Sequence, residues 1–375
     1  MRVCFPFVGD SIGGSHLSTL ILAEQILSNG WQPLVVVHEE GVLTAELKRR
    51  DIPYELLPIR GVVIADHSSL NRLLKLLWVH FRVTFFLLRS KVDLVHSNDM
   101  RMHITWALPA KLCGRKHVWH QRTVFPQSRV ARIVARWSDV VISISNYVQR
   151  SLPKEIAKKS QVIINPVAPV MLAPGTIRRF RKNILVHARY ATEPIIVGSF
   201  GSLTKIKRPE VLVESCRILQ SMMGAPLLLA VFGKDKEGFE QKLRLRTIDD
   251  ANSFQVVFFG LRTPIEGWMA SCDLVMATSE LDGFGRTLAE AMSLGVPVVA
   301  TKAGGHLEVL RDGISGKLAA VNDPHSIARA AYDVLTNEEL RDSLVAEAQK
   351  ISKTTFDPEN HARQIAEVYW KLQSR

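Results

Sequence analysis

Short apolar runs alternate with longer amphipathic stretches along the whole chain. In the first half, residues 3–8, 32–38, 94–97, 116–120 and 140–143 carry the β-branched and aliphatic runs of strands buried on both faces. Between them, residues 15–29, 42–50, 70–89, 102–113 and 146–151 repeat apolar positions at helical spacing. The alternation restarts near Ile195. It predicts strands at 195–200, 227–232, 256–259, 274–277, 296–301 and 316–319, and helices at 209–222, 238–246, 265–270, 287–293, 306–310, 324–335 and 338–352.

This order predicts an α/β protein of two doubly wound parallel-sheet domains facing across a cleft. The expected division is an N-terminal domain over 1–168, a connection over 169–193, and a C-terminal domain over 194–357. Pro166, Pro169, Pro174 and Gly175, followed by a basic run over 178–182, mark the connection. A last helix, expected from residue 358 onward and taken with 358–375, is assigned back to the first domain. Ligands of such sheets bind beyond the carboxyl ends of the strands, so chemistry belongs in the loops there.

Charge separates the two halves. The 375 residues carry a net +12, but residues 1–200 hold 27 Lys and Arg against 13 Asp and Glu, whereas 201–375 hold 21 against 23. An anionic partner is therefore expected at the first half. With 47% hydrophobic residues the chain is no disordered or low-complexity protein. Its four cysteines are scattered without a CxxC, which points to buried thiols in a reducing compartment. The start reads as a strand and not a signal peptide, and no uncharged run reaches the roughly 18 residues of a membrane span. A cytoplasmic protein, peripheral at the inner face of a membrane, is expected.

Four loops could carry chemistry. Gly9–His16 is glycine-rich and opens a helix, so Gly13 and Gly14 could bring amides to an anion, or Ser15 could simply cap the helix. His120 and Arg122 close a strand; the first could bond a hydroxyl or move a proton, the second pair with an anion. Lys205, Lys207 and Arg208 crowd a helix start, where the dipole disfavours cations unless an anion is bound. In Ser279–Met292 carboxylates flank a glycine turn, and Thr287 with Glu290 also fits a capping box. No HExxH, DxD or GxxxxGK[ST] occurs, so no metal site is indicated and no cofactor is expected.

The stretch 279–297, SELDGFGRTLAEAMSLGVP, resembles the signature of retaining glycosyltransferases of family 4, also called glycosyl transferases group 1, with the GT-B fold. Gly13-Gly14, His120, Asn165-Pro166-Val167, the 201–207 loop and Ala303-Gly304-Gly305 with Glu308 follow in the family's order. The resemblance implies a nucleotide-sugar donor, most often a UDP-sugar, held by the second domain, and an acceptor held by the first. Gly13 and Gly14 would approach the diphosphate. His120 would contact the donor sugar, and Lys207, aided by Lys205 or Arg208, would balance the phosphates. The turn Gly283, Phe284, Gly285, Arg286 and Thr287 would hold sugar and phosphates, and Glu290 the ribose. His120, Asp282 and Lys207 are the expected catalytic residues. Two positions depart from the family. Asp282 stands where it usually has Glu, with Glu280 as a stand-in, and Ser202 where it commonly has Arg.

Retention without an evident covalent nucleophile points to front-face attack assisted by the leaving phosphate. The acceptor is expected to be a lipid-linked molecule or a glycan, with Arg122 and Arg129 meeting its anionic parts, in lipopolysaccharide or other cell-surface polysaccharide synthesis. The stretch 70–91, with Arg72, Lys75, Arg82, Arg89 and Lys91 among bulky apolar residues, points to an anionic membrane surface as a further partner. Nucleic acid is not expected, for want of clustered stacking aromatics. Competing readings are an epimerase or phosphorylase of the same fold, and a nicotinamide-dependent oxidoreductase using Glu39. The missing GxGxxG argues against the oxidoreductase.

Overall fold

The protein is described here from a computed structural model covering residues 1–28, 30–59, 69–190, 192–246 and 254–374, with backbone alone for 69–73 and 245–246. Asn29, expected at the end of the first helix, and the Arg72 side chain lie outside the described residues. The chain divides into two compact units, residues 1–166 with 358–375, and residues 167–357.

In the first unit, strands β1 (Arg2–Phe7), β2 (Gln32–Val37), β3 (Tyr54–Leu56), β4 (Leu94–Ser97), β5 (Lys116–Gln121), β6 (Val140–Ser143) and β7 (Ser160–Val162) form one sheet. It is parallel throughout, in the order β3-β2-β1-β4-β5-β6-β7. Helices α1 (Gly14–Ser28), α2 (Val42–Arg49), α3 (Ser69–Arg89), α4 (Met100–Leu112), α5 (Arg129–Trp137), α6 (Asn146–Arg150) and α7 (Lys154–Ala157) connect the strands. Side-chain caps start several of them: Asp99 accepts from the Met102 amide, Ser128 from Ala131, and Ser145 from Val148.

The second unit begins with α8 (Pro174–Leu185), then β8 (Ile195–Phe200), α9 (Pro209–Met223), β9 (Leu227–Phe232), α10 (Phe239–Arg246) and β10 (Phe254–Gly260). It continues with α11 (Glu266–Met269), β11 (Leu274–Ala277), α12 (Arg286–Ser293), β12 (Val298–Thr301), α13 (His306–Val309), β13 (Lys317–Ala319), α14 (Pro324–Thr336) and α15 (Glu338–Thr355). Its sheet is likewise parallel, in the order β10-β9-β8-β11-β12-β13. The last helix, α16 (Pro358–Gln373), belongs to the first unit. There Ala362, Ile365, Val368, Tyr369 and Leu372 join the core formed by β1, β2 and α1.

One stretch departs from expectation. Residues 169–193 are not a bare connection, because α8 forms within them and docks on the second unit. Pro174 opens the helix, where its missing N–H costs nothing. The Phe180 ring lies 5.1 Å from Trp268, and Arg181 pairs with both Glu193 and Asp273.

Helix α3 is unusual in its outer surface. Val79, Val83 and Leu87 pack inward at helical spacing, yet Leu74, Leu77, Trp78, Phe81, Phe85 and Leu88 are exposed, Phe81 to 69%. Arg82 lies over the Trp78 ring and Arg89 over Phe85, with cation-to-centroid distances of 5.3 and 5.0 Å. Among the described residues no helix is long and apolar enough to cross a membrane.

Candidate active site

At the carboxyl end of β1 the chain turns through Gly9, whose φ of 111° and position against the Glu39 carbonyl exclude a side chain: a Cβ there would sit 1.9 Å from that oxygen. The loop then reaches α1, whose first turn is fixed by Leu17 N–H donating to the Gly13 carbonyl. The Gly13 amide donates in turn to His16 Nδ1 at 3.2 Å. Burial, with Arg101 and Arg122 nearby, lowers the His16 pKa to about 4 despite the opposing pull of Asp10. The neutral ring can therefore accept that bond. His16 carries no motif of its own in the sequence; its place in the first turn of the helix is the only signal it gives.

Arg122 does not face solvent. Its guanidinium is held by Asn98 Oδ1, by Asn165 Oδ1 and by Thr19 Oγ1, and the residue is only 8% exposed. It braces Asn98 after β4, Asn165 after β7 and Thr19 within α1, so the guanidinium is buried among its own unit's side chains and not open at the surface. Arg129, by contrast, is exposed in the first turn of α5.

His120, near the end of β5, is fully buried. Its Nδ1 lies 3.0 Å from His96 Nε2, and His96 Nδ1 lies 2.5 Å from the Tyr369 hydroxyl on α16. His120 Nε2 is buried and, among the described residues, has no hydrogen-bond partner. Burial above all, reinforced by Arg122, holds both imidazoles well below their ordinary pKa, so both are neutral.

In the second unit, the β8 and β9 ends meet backbone to backbone. Gly201 and Gly233 both have positive φ, and a Cβ on Gly233 would lie 1.9 Å from the Gly201 carbonyl oxygen. The loop after Gly201 makes a single 3-10 turn, Lys205–Lys207, before α9. The Lys205 amide donates to Glu237. Lys207 Nζ donates to Asp282 Oδ2 at 2.5 Å, and Arg208 pairs with Glu280 at 2.5 Å. Thr278 Oγ1 ties the turn down by donating to the Lys207 and Arg208 carbonyls.

Asp282 is the hub of this cluster. Its Oδ1 accepts from the Phe284 and Gly285 amides, and His306 Nε2 lies 3.6 Å from Oδ2. Burial alone would raise its pKa, but His306 and Lys207 outweigh burial and hold the carboxyl well below the usual carboxylate range. Glu280, weighed as its stand-in, is occupied by Arg208. His306 went unread in the sequence, because a histidine opening a four-residue helix carries no motif.

The capping box does not form. Helix α12 starts two residues earlier than the box requires, at Arg286, with Gly285 as N-cap at φ 87° and no side-chain cap bond. Glu290 instead accepts from Arg286 Nε at 2.7 Å, one turn back. Burial raises the Glu290 pKa while Arg286 opposes it. Phe284 contributes its amide and not its ring, which packs into the core edge-on against Phe356.

The second unit thus brings together Lys207, Arg208, Asp282, Glu280, Gly285 and His306, with Arg286 and Glu290 behind them on α12. Two cations and a glycine-initiated helix start suit a ligand carrying phosphates. The first unit brings together Gly13, His16, Arg122, His96 and His120. Among the described residues no group of three or more His, Cys, Asp or Glu is disposed to hold a metal.

Comparison with known proteins gives the arrangement a context. Residues 181–351 match the family model for glycosyl transferases group 1, and residues 12–169 match that for glycosyltransferase family 4. The chain is 23% identical to the N-acetyl-alpha-D-glucosaminyl L-malate synthase of Bacillus anthracis over 98% of this chain and 96% of that protein. It is 30% identical to the lipopolysaccharide core biosynthesis mannosyltransferase LpsB of Rhizobium meliloti over 47% of this chain and 51% of that protein. Among solved structures, Anabaena HepE in complex with UDP and glucose superposes with a TM-score of 0.81 at 23% identity, covering 99% of this chain and all of that one.

Proposed function

The chain belongs to the group 1 and family 4 glycosyltransferases and has the GT-B fold, and from that premise we propose that it moves a sugar from a UDP-sugar to a hydroxyl of a lipid-linked or glycan acceptor, with retention of configuration. The observation that carries this reading is the joining of Lys207, Asp282 and His306 beside the α12 start. The choice of UDP is supported by HepE, solved with UDP-glucose. The setting, synthesis of lipopolysaccharide or another cell-surface polysaccharide, is supported by the likeness to LpsB.

As the anomeric carbon–phosphate bond breaks, negative charge collects on the departing diphosphate. Lys207 exchanges Asp282 for that phosphate, aided by Arg208 and the backbone amides of the turn, so the charge meets preorganised donors. Asp282, released from Lys207, accepts from a hydroxyl of the donor sugar. Glu290, whose pKa burial raises while Arg286 opposes the rise, accepts from the ribose hydroxyls. His120 approaches the sugar at its reacting face. The acceptor hydroxyl attacks from the side the phosphate leaves, and the leaving phosphate takes its proton. With the cations supplied by the protein, no metal is required.

The exposed apolar face of α3, edged by Arg82 and Arg89, suits an anionic bilayer surface that presents a lipid-linked acceptor. On this reading the protein works at the inner face of the membrane.

The test is thermal unfolding with millimolar UDP, GDP, ADP or NAD, with and without chelator. A ligand at 100 times its Kd stabilises by about 2.7 kcal/mol, a shift of a few degrees for units of this size. UDP alone, unaffected by chelator, is the expected stabiliser; a shift with NAD alone overturns the reading. Turnover of UDP-sugar without any alcohol acceptor would favour the epimerase or phosphorylase reading instead.

A further inference from the structure

The Tyr369 hydroxyl fixes the direction of the histidine chain beneath His120. Tyr369 is completely buried, and among the described residues its hydroxyl has one hydrogen-bond partner, His96 Nδ1 at 2.5 Å. A buried O–H has to donate. Were His96 to carry its proton on Nδ1, it would donate to the hydroxyl oxygen, and the Tyr369 proton would be left without an acceptor. Tyr369 therefore donates to His96 Nδ1, and the neutral His96 carries its proton on Nε2. That proton is donated to His120 Nδ1, 3.0 Å away. His120, itself neutral, is left with its proton on Nε2, the one buried imidazole atom in the chain of bonds that has no partner.

We infer that Tyr369 and His96 are positioning residues that hold His120 in its Nε2–H tautomer, so that His120 meets an oxygen of the substrate as a hydrogen-bond donor and not as a base. This rests on the reading that His120 faces the donor sugar. The relay has a defined geometry as well as a defined direction. The Tyr369 ring stands at 89° to His96, and the two imidazoles are tilted by 36° with centroids 5.1 Å apart. A donor at this position strengthens its bond as negative charge gathers on a sugar or phosphate oxygen in the transition state, whereas a base there would have to take up a proton against burial and Arg122.

The experiment is a long-range 1H–15N spectrum of the full chain labelled on histidine nitrogens, with His96 and His120 assigned through His96→Gln and His120→Gln. The wild-type protein is expected to show both rings protonated on Nε2. Finding His120 protonated on Nδ1 overturns the inference, and needs no variant to fold. In Tyr369→Phe the ring remains but the O–H is gone. His96 can then take its proton on Nδ1, and the His120 signal is expected to shift toward the other tautomer; an unchanged spectrum in a folded Tyr369→Phe protein overturns the relay. Turnover of UDP-sugar by Tyr369→Phe is expected to fall roughly tenfold in kcat, the size of one misplaced hydrogen bond, with KM for the donor within about twofold. Unchanged kcat in the folded variant overturns the positioning role. Should His120→Gln itself leave turnover unchanged, the placement of His120 at the sugar fails, while the spectra still decide the relay.

Discussion

Lys207 Nζ lies 2.5 Å from Asp282 Oδ2, while the other oxygen of the same carboxylate holds the Phe284 and Gly285 amides. One side chain thus serves charge and architecture together. It neutralises the cation of one loop and shapes the helix start of another. On the proposed reading, binding of a diphosphate would take the first duty away and leave the second intact.

Substitution separates the two duties. Lys207→Ala is expected to keep the fold and lower kcat by about 10²–10³, the usual effect of deleting one preorganised donor to a developing anion. Steady-state kinetics with a UDP-sugar, alongside a melting curve, measure both. Wild-type turnover by Lys207→Ala would remove this lysine from the reaction.

Asp282→Ala should lose stability as well as activity. Two amides just before α12 lose their acceptor, at a cost of about 1–3 kcal/mol, the usual effect of leaving a buried donor unsatisfied. Asp282→Glu, although it matches the common family residue, should also melt lower, because the extra methylene carries the carboxylate past the amides it caps. A melting temperature equal to wild type in both variants would contradict this.

The buried histidines make the first unit acid-sensitive. His16 has its pKa lowered from 6.5 to about 4, and His96, His103 and His120 are depressed by burial as well. Unfolding lets each of them bind a proton that the folded state refuses. Their contribution to stability is present in full above about pH 6.5 and is lost as pH falls from there through about 4 for His16. Urea unfolding between pH 7 and 4 should show this slope, with a shallower one in His16→Asn.

The Gly233 position tolerates no side chain. With φ at 146° and the Gly201 carbonyl 1.9 Å from a built Cβ, Gly233→Ala should cost at least about 2 kcal/mol. It should also weaken nucleotide binding, since the loop it displaces carries Lys205 and Lys207. Chemical unfolding and a UDP titration measure the two effects, and a variant as stable as wild type would show that the two strand ends can part.

Replacing Phe81 and Phe85 of α3 by Ser should leave melting unchanged, because both are exposed, and weaken sedimentation with anionic vesicles by roughly tenfold or more, given about 1.5–3 kcal/mol for each fully buried apolar ring. Equal binding by wild type and variant would exclude this face as the membrane contact.

The sequence shows the repeating strands well because burial on both faces writes itself as uninterrupted apolar runs: residues 195–200 and 227–232 are strands to the residue. It shows short edge strands poorly. Tyr54–Leu56 and Ser160–Val162 are three residues each, partly exposed, and too brief for any period. Within the site, residues adjacent in sequence were easy to find and residues joined by folding were not. Nothing in the chain links His96 to Tyr369, 273 positions later. The capping box misled for a physical reason: with a positive φ at Gly285 the helix starts two residues earlier than the box would place it, and a motif of residue types cannot register a backbone angle.

The return of α16 to the first unit has a consequence for how the protein is made. A ribosome that has reached residue 357 has synthesised all of the second unit, yet the first still lacks the 16 residues of α16. The part begun earliest is thus completed last, reversing the usual N-to-C order of domain folding during synthesis. Until those residues emerge, the core around Ala23, Ile26 and Val35 stays open to water where Ile365 and Leu372 will pack. His96 meanwhile has no hydroxyl to bond, so a prematurely terminated chain is left with an exposed core and an unset histidine pair.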